Sequence, residues 1–192
     1  MRRKLQWIIT LARGLRYMHK RGFVHKDIKP DNLLLNRFHE LKITDLGICL
    51  FDQGKGYFRN KLHPPFFYAP EMSQFSPNER MTNKVDIYSF GLVAYELLTY
   101  ENIRNLSKPI NFPSDSPILM PMITACVKEK PTERPDADQL EEKLFKLDKE
   151  FWKFLEELNK VEEYTSIRMA TLDKNALFQE FYNSTNEEIK RF

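Results

Sequence analysis

The segment 86–100, near the middle of the chain, most narrows the folds that this sequence can adopt. Its apolar side chains occupy almost every face of a helix rather than one stripe; they are Ile87, Tyr88, Phe90, Leu92, Val93, Ala94, Leu97 and Leu98. A helix that is apolar all round lies inside a protein, so other elements have to surround it. The sequence therefore predicts a mainly helical fold with this segment at its centre.

Patterns on either side of that segment predict the surrounding elements. Apolar residues recur at helical spacing along 5–18, which predicts an amphipathic first helix. Two short apolar runs, 33–35 and 41–43, are separated by a polar turn and predict a small β-hairpin. Residues 122–127 and 136–147 read as further helices, the second with a proline close to its start.

The last part of the chain is more charged and predicts a helical extension. Apolar residues recur at helical spacing within a charged background, so 140–164 is predicted to form one long amphipathic helix. A second, shorter helix is predicted over 176–182. The apolar face of the long helix could pack against the domain that it follows or bind a protein partner, and the sequence leaves both alternatives open.

Composition argues against two classes of partner. The chain has 192 residues, 42% of them hydrophobic, and it contains no run of 18 apolar residues of the kind that spans a membrane. Its 30 basic and 27 acidic side chains leave a formal charge of +3, too balanced for a basic nucleic-acid-binding stripe. Cys49 and Cys126 are far apart and form no metal-ligand pattern, which favours buried thiols. We therefore expect no membrane or nucleic-acid partner, and a cytoplasmic or nuclear location.

A polar loop near residue 30, together with a triplet that follows it, holds the residues with the clearest chemistry. The side chains of Asp27, Asn32 and Asp45 lie on predicted loops next to predicted strands. Their oxygens suit a hard divalent cation such as Mg²⁺, which proteins bind through one or two carboxylates together with substrate phosphates. Lys29 would then face the phosphates.

The order of these residues resembles the protein kinase family, and the likeness extends over several separated motifs. They are His25-Lys26-Asp27 with Asn32, similar to the catalytic loop H-R-D-x-x-x-x-N; Asp45-Leu46-Gly47, similar to D-F-G; Ala69-Pro70-Glu71, an intact A-P-E; Asp86-Ile87-Tyr88-Ser89-Phe90-Gly91; and Arg134-Pro135. The likeness covers about residues 1 to 147. It implies a protein-kinase-like C-terminal lobe of the serine/threonine type, helical with a small β-hairpin at the catalytic loop.

The resemblance implies a role for each candidate residue. Asp27 would be the catalytic residue that orients the substrate hydroxyl, and Lys29 would neutralise charge on the transferred phosphoryl group of ATP. Asn32 and Asp45 would hold the Mg²⁺ ions that bridge the phosphates. Leu34 would form the apolar floor under the adenine base. A lysine at position 29 is typical of kinases that act on serine or threonine, so protein substrates with those acceptors are expected.

Five further residues are implied to act as scaffold. His25 and Leu46 match positions of the family's regulatory spine. Asp86 matches the residue that accepts backbone N–H groups of the catalytic loop. Glu71 and Arg134 would form a buried, charge-assisted pair that ties the end of the activation loop to the later helices.

Between the second and third motifs the sequence departs from the family pattern. This segment reads as a long loop without serine or threonine, and its only side-chain hydroxyls are those of Tyr57 and Tyr68. Pro64 stands where the family carries a threonine that bridges the catalytic aspartate and lysine. Upstream, Lys26 replaces an arginine and lacks its planar fork. If the protein is active, we expect packing of aromatic residues, rather than Ser/Thr phosphorylation, to set this loop.

The last departure concerns the ATP-binding half of the family's fold. Only Gly14 and Gly22 precede the catalytic loop, so no glycine-rich loop or lysine-bearing strand fits upstream within these residues. We therefore expect 1–147 to be a C-lobe without its N-lobe, and 148–192 to be a helical C-terminal extension. Two functions remain: a serine/threonine kinase present as a partial catalytic domain, or a pseudokinase or interaction module without turnover.

Overall fold

The computed structural model describes residues 2–51, 66–72, 82–105 and 119–160. The α-helices in these ranges are α1 Arg2–His19, α2 Lys84–Thr99, α3 Met120–Cys126 and α4 Ala137–Lys160. The strands are β1 Phe23–Val24, β2 Leu33–Leu35, β3 Leu41–Ile43 and β4 Leu50–Phe51. Short 3-10 turns lie at Pro30–Asn32, Pro70–Met72, Ile103–Asn105 and Pro131–Glu133. The prediction of a mainly helical fold is confirmed.

Helix α2 lies at the centre of the core, as its sequence predicts. All its residues from Val85 to Tyr95 are buried. Gly91 lets α3 approach closely, because a Cβ at this position would lie 2.7 Å from Cβ of Cys126 and 2.8 Å from Cγ1 of Val127. Although α2 is strongly apolar, none of the described helices combines the length and the hydropathy needed to cross a membrane.

Helix α1 packs against α2, α4 and the strands. Its buried side chains are Leu5, Ile8, Ile9, Leu11, Ala12 and Leu15. On its polar face, Arg13 Nε and Arg16 Nη1 lie 3.0 Å and 2.8 Å from the carboxylate of Glu141 in α4. Gly14 touches β3, since a Cβ there would lie 2.6 Å from Cδ1 of Ile43. Helix α1 therefore packs directly against β3.

Strands β2 and β3 form the predicted hairpin. They pair antiparallel, with Leu33 opposite Ile43 and Leu35 opposite Leu41. The turn between them is closed by Asn36, whose Oδ1 accepts the backbone N–H groups of Phe38 and Glu40, each at 2.9 Å. Asparagine favours such turns because its short side chain can bond the backbone two residues later.

A second antiparallel pair joins β1 to β4 and places Phe23 opposite Phe51. The sequence predicts an extended segment at 23–24, and this prediction is confirmed by β1. The prediction that the chain is irregular from residue 45 onward is wrong at β4, because a two-residue strand has no periodicity that a sequence could reveal.

Helix α4 is the long amphipathic helix that the charged C-terminal pattern predicts. It begins at Ala137 and runs to Lys160, so the separately predicted helices over 136–147 and 140–164 are one element. Its buried apolar side chains are Ala137, Leu140, Leu144, Leu147 and Phe151, and this spacing places them on one side of the helix. The helix is continuous through 147 and 148, and the helix predicted over 176–182 lies outside the described residues.

Both cysteines lie in the described part of the chain, and no disulfide joins them. Cys126 is buried in α3 as predicted, and burial raises the pKa of its thiol. A thiol of this kind is an inert core group, since the reactive form is the thiolate. Cys49 is half-buried, so the prediction of buried thiols is confirmed for Cys126 alone.

Candidate active site

The loop that follows β1 is anchored by Asp86, a fully buried residue in the first turn of α2. Its carboxylate accepts the backbone N–H of His25 at 2.8 Å and that of Lys26 at 2.7 Å. Oδ2 also lies 2.9 Å from Nε2 of His19 at the end of α1. The predicted role of Asp86 as an anchor for the loop backbone is confirmed.

His25 connects this loop to the segment after β3. Its Nδ1 accepts the backbone N–H of Asp27 at 3.3 Å, so the ring proton is assigned to Nε2. Nε2 then donates to the backbone oxygen of Thr44 at 3.0 Å. One buried ring therefore fixes the positions of both halves of the candidate site.

Lys29 and Asn32 hold the carboxylate of Asp27. Lys29 Nζ lies 2.7 Å from Oδ2 of Asp27, and Asn32 Nδ2 donates to the same oxygen at 2.9 Å. The amide of Asn32 also donates to the backbone oxygen of Asp27 at 2.8 Å. Asp27 and Asn32 are each only 7% exposed. Three of the five predicted site residues are therefore joined directly by hydrogen bonds.

The local backbone explains how this group forms. Lys29 is extended, with φ −158° and ψ 162°, as expected for a residue that precedes proline. Pro30 then begins the 3-10 turn, where its missing N–H costs nothing. The turn returns the chain so that Asn32 N–H donates to the backbone oxygen of Lys29 at 3.0 Å. Lys29 and Asn32 are thereby brought to the same carboxylate.

Asp45 is close to this group but does not touch it. Thr44 donates to the backbone oxygen of Asn32 through its N–H at 2.9 Å and through Oγ1 at 3.0 Å. The next residue, Asp45, is exposed and has a left-handed backbone with φ 61°, which aspartate tolerates better than most residues. Its Oδ1 accepts the N–H of Gly47 at 3.2 Å. The hydrogen bonds of Thr44 therefore hold the segment that carries Asp45 against Asn32, and Asp45 itself is exposed to solvent.

Two predicted apolar positions are exposed. Leu34 in β2, opposite Lys42, is 55% exposed, so it presents an apolar surface beside the polar group. Leu46 is 61% exposed, and the expectation that it stacks into a spine is wrong for the described residues.

Lys26, which stands where the family pattern has an arginine, is deeply buried. It is 4% exposed and has a left-handed backbone with φ 71°. Burial lowers the pKa of its ammonium group, because the charged form loses hydration there. The long side chain is accommodated inside the lobe rather than in solvent.

Tyr68 is a member of the site that the sequence did not identify. Its hydroxyl donates to Oδ1 of Asp27 at 3.4 Å, on the oxygen opposite to the one that Lys29 contacts. Burial, with a further contribution from the negative charge of Asp27, raises the pKa of Tyr68 to about 12. One signal was available in the sequence, since Tyr68 carries one of only two side-chain hydroxyls between Asp45 and Glu71.

Glu71 and Arg134 form the predicted pair behind the site. Nη1 and Nη2 of Arg134 contact the two carboxylate oxygens of Glu71 at 2.6 Å and 2.8 Å. The guanidinium is fully buried and also donates to the backbone oxygens of Lys84, Lys128 and Glu129. The pair ties the segment 66–72 to α2 and to the start of α4.

This arrangement has the oxygen and nitrogen groups that charged phosphates require. Asn32 uses its amide nitrogen for Asp27, which leaves Oδ1 as an acceptor, and Asp45 presents a carboxylate on the adjacent segment. Within the described residues there is no cluster of three or more His, Cys, Asp or Glu side chains that could hold a metal by itself. A cation here would therefore need ligands from its substrate, as Mg²⁺ usually does.

A family model described as protein kinase domain matches residues 2–165 of this chain. The matched range includes the loop after β1, the Asp45 segment, the Glu71–Arg134 pair and all the described helices. The match therefore covers all the residues that form the candidate site.

Curated proteins are similar over much of the same range. The chain is 30% identical over 158 residues to the serine/threonine/tyrosine-protein kinase HT1 of Arabidopsis thaliana, covering 75% of this chain and 40% of HT1. It is 30% identical over 165 residues to the serine/threonine-protein kinase Nek1 of Mus musculus, covering 79% of this chain and 13% of Nek1. A probable serine/threonine-protein kinase of Clostridium acetobutylicum is 29% identical over 200 residues, or 93% of this chain and 30% of that protein. The chain spans 40% or less of the length of these relatives.

Proposed function

Because the chain belongs to the protein kinase family, we propose that it supplies the phosphoryl-transfer residues of a protein serine/threonine kinase. The reaction would move the γ-phosphate of ATP to a protein hydroxyl. The observation that carries the proposal is the hold of Lys29 and Asn32 on one carboxylate oxygen of Asp27, at 2.7 Å and 2.9 Å. Phosphoryl transfer depends mainly on positioning and charge neutralisation, and this group supplies both.

Asp27 is the catalytic residue of this proposal. Its Oδ2 is occupied by Lys29 and Asn32, whereas Oδ1 accepts one hydrogen bond, from Tyr68, and keeps a lone pair for the substrate hydroxyl. The carboxylate orients that hydroxyl toward the γ-phosphate and accepts its proton as the new P–O bond forms and the bond to the leaving ADP breaks. The backbone hydrogen bonds to Asp86 and His25 keep Asp27 in place during this step.

Lys29 contributes positive charge next to the transferred group. Its side chain is 27% exposed, so the ammonium group can contact a phosphate while it remains bonded to Asp27. Charge on the equatorial oxygens of the phosphoryl group is stabilised by a fixed cation at this place. Lys29 therefore serves both the acceptor and the nucleotide.

Asn32 and Asp45 would hold Mg²⁺ in this proposal. Amide and carboxylate oxygens are hard ligands of the kind that Mg²⁺ selects, and ATP phosphates would complete its octahedral shell. The bound cation neutralises phosphate charge. The contacts of Thr44 with the backbone of Asn32 support the proposal, because they keep the two ligand-bearing segments together.

Leu34 is proposed as the apolar contact for the adenine base. The support is its 55% exposure on β2, beside the loop that carries Asn32. A leucine that projects from a strand without burial offers a flat apolar surface to a planar ring. The neighbouring Lys42, across the hairpin from Leu34, would face the same solvent region.

Serine or threonine is the proposed acceptor. Two of the similar proteins carry serine/threonine-protein kinase in their names, and HT1 carries tyrosine as well. The lysine at position 29 supports the first class, because it matches the pattern that the resemblance associates with kinases acting on serine or threonine.

We assign residues 1–147 to the large lobe of the kinase fold and 148–192 to a helical extension. The support is the buried core, in which α2 packs against α1 and α3, and α1 packs against α4. These 192 residues contain no glycine-rich loop before His25, so the ATP phosphates would have to be covered by a small lobe that they do not encode. Turnover would require that lobe.

A second candidate function is binding without turnover, as in a pseudokinase or interaction module. The observation that favours it is the burial of Lys26: the lysine that replaces the family's arginine is only 4% exposed, so it is not presented to a phosphorylated loop. A partner could then bind the outer face of α4, where Phe145 is 46% exposed. Phe151, by contrast, is buried against the lobe and is not available to a partner.

Transfer of radiolabelled phosphate from ATP to a protein acceptor such as casein separates the two functions. We expect incorporation by the wild-type chain, produced together with any coding sequence that precedes Met1 in its gene. The variant Asp27→Asn should lose about 10²-fold or more of that incorporation, because it no longer accepts the proton. Acid hydrolysis of the product should give phosphoserine or phosphothreonine. Equal incorporation by the variant and the wild type would contradict the kinase proposal. No incorporation by the wild type would also contradict it and would favour binding without turnover.

A further inference from the structure

The two oxygens of the Asp27 carboxylate have different partners. Oδ2 accepts two hydrogen bonds, from Lys29 Nζ at 2.7 Å and Asn32 Nδ2 at 2.9 Å, and both donors belong to the same loop as Asp27. Within the described part of the chain, Oδ1 has a single donor, the hydroxyl of Tyr68 at 3.4 Å. That donor comes from a segment 41 residues away.

Tyr68 is held in place from outside the loop. The preceding residue, Phe67, is 2% exposed, and its backbone oxygen accepts the hydroxyl of Ser89 in α2 at 2.8 Å. The following residue, Ala69, is 1% exposed, and its backbone oxygen accepts the N–H of Met72 at 2.9 Å. Because the backbone is buried on both sides, the ring of Tyr68 is directed by the core and not by the loop that it contacts.

A donor on Oδ1 adds a restraint from a separate part of the fold. The χ2 torsion of aspartate is broad, and rotation about the Cβ–Cγ bond displaces both carboxylate oxygens, so donors on both oxygens oppose it from two sides. Lys29 and Asn32 both act on Oδ2 and therefore define one end of the group. A hydrogen bond to the other oxygen fixes the plane of the carboxylate.

We propose that Tyr68 is a positioning residue for Asp27, whose hydroxyl fixes the carboxylate plane from the side opposite to Lys29. The inference rests on the proposed function, since the plane matters only if Oδ1 receives a substrate hydroxyl. Oδ1 has two lone pairs, so it accepts Tyr68 and the substrate together. The role compensates for Pro64, which supplies no hydroxyl at the position where the family pattern has a threonine.

The protonation of Tyr68 agrees with this role. Burial and the charge of Asp27 raise the pKa of the phenol to about 12, so it remains a donor at neutral pH. A phenolate beside the carboxylate would repel it, and the raised value prevents that state. The contact is therefore a one-way hydrogen bond from Tyr68 to Asp27.

The test compares Tyr68→Phe with a matched control, Tyr17→Phe, in the chain produced together with any coding sequence that precedes Met1. Tyr17 is 60% exposed on α1, and its ring packs with Arg21. Steady-state phosphate transfer should show that Tyr68→Phe lowers kcat about tenfold with the KM for ATP unchanged, the loss expected for one hydrogen bond to a charged group. Tyr17→Phe should leave both constants unchanged. An unchanged kcat for Tyr68→Phe, or a fall that accompanies an equal loss of folded protein, overturns the proposal.

A second measurement does not depend on turnover and so separates this inference from the proposed function. In the full chain labelled with ¹³Cζ-tyrosine, the resonance missing from Tyr68→Phe identifies Tyr68. Its titration, followed by NMR up to the highest pH at which circular dichroism shows a folded chain, should move to lower pH in Asp27→Asn. That variant keeps the shape of the side chain and removes the charge that raises the pKa of the phenol. An identical titration in both proteins overturns the proposal, even if phosphate transfer is observed.

Discussion

The two halves of the candidate site differ in how they are held. On one side, Asp27 and Asn32 are 7% exposed and are hydrogen-bonded to each other, and Asp27 also contacts Lys29. The backbone of the two preceding residues, His25 and Lys26, donates to the carboxylate of Asp86. On the other side, Asp45 is exposed, its carboxylate accepts the N–H of Gly47 within its own turn, and Leu34 is 55% exposed. His25 and Thr44 are the bridge between the two sides.

The difference indicates which part of the proposed phosphoryl-transfer site is already held in place by the described residues. In the proposed function, the side around Asp27 is the acceptor side, and buried charges and backbone hydrogen bonds hold it in place. The side around Asp45 and Leu34 would be the nucleotide side, and the ligand would complete the arrangement of its exposed carboxylate and apolar surface. In a kinase, this division would keep the acceptor geometry constant while nucleotide binding completes the site.

The largest expected effect comes from the buried ion pair behind the acceptor side. Arg134→Ala should lower the free energy of unfolding by about 3–5 kcal/mol, because Glu71 would stay behind as a buried charge without its partner. Urea denaturation measures this loss, and poor solubility is the expected accompanying sign.

The matched control is Arg104→Ala. Arg104 pairs with Asp31, and the two side chains are 46% and 50% exposed, so its loss should change stability by at most about 1 kcal/mol. If the two variants unfolded at the same urea concentration, burial would not distinguish the pairs and the comparison would lose its basis.

A smaller loss of stability is expected when an aspartate is replaced by asparagine on each side of the site. Asp86→Asn should cost about 1–3 kcal/mol, since one amide oxygen cannot accept the N–H groups of both His25 and Lys26 and one of them stays buried and unpaired. Asp45→Asn should stay within about 0.5 kcal/mol of the wild type, because Asp45 is exposed. Thermal unfolding of both variants under one buffer condition provides the measurement. A larger loss for Asp45→Asn would reverse the assignment of the two sides.

The smallest effect is expected for Leu34. Leu34→Ala should change the free energy of unfolding by less than about 0.5 kcal/mol, because the side chain is 55% exposed and leaves no cavity. The control is Leu15→Ala, since Leu15 is fully buried in α1 and its truncation should cost about 2–5 kcal/mol. Weaker binding of ATP by Leu34→Ala without loss of stability would support its proposed contact with adenine. A destabilisation as large as that of Leu15→Ala would mean that Leu34 is part of the core.

The sequence predicted the elements whose signals are local. Helix α2 is apolar at nearly every position, and the hairpin of β2 and β3 has two apolar runs with an asparagine turn, so each could be recognised without its neighbours. The group of Asp27, Lys29 and Asn32 lies within six consecutive residues around a proline, which fixes its geometry through the local backbone. Ordered motifs added Asp86, Glu71 and Arg134.

The features that the sequence did not predict depend on long-range packing. Strand β4 exists because β1 lies opposite to it, and its two residues carry no pattern of their own. The contact of Tyr68 with Asp27 depends on the burial of Phe67 and on the hydrogen bond from Ser89, neither of which a linear pattern contains. The exposed position of Leu46 was not predicted for the same reason, since an apolar residue is buried only where other elements cover it.

Amide hydrogen exchange of the ligand-free chain tests the central claim most directly. If the acceptor side is fixed by the lobe itself, the amides of His25 and Lys26, which donate to Asp86, should be strongly protected without nucleotide. The amide of Gly47, which bonds only to exposed Asp45, should exchange rapidly and slow down when ATP and Mg²⁺ are added. Equal exchange rates at the two places without nucleotide, or protection of His25 and Lys26 that appears only with nucleotide, would contradict the account.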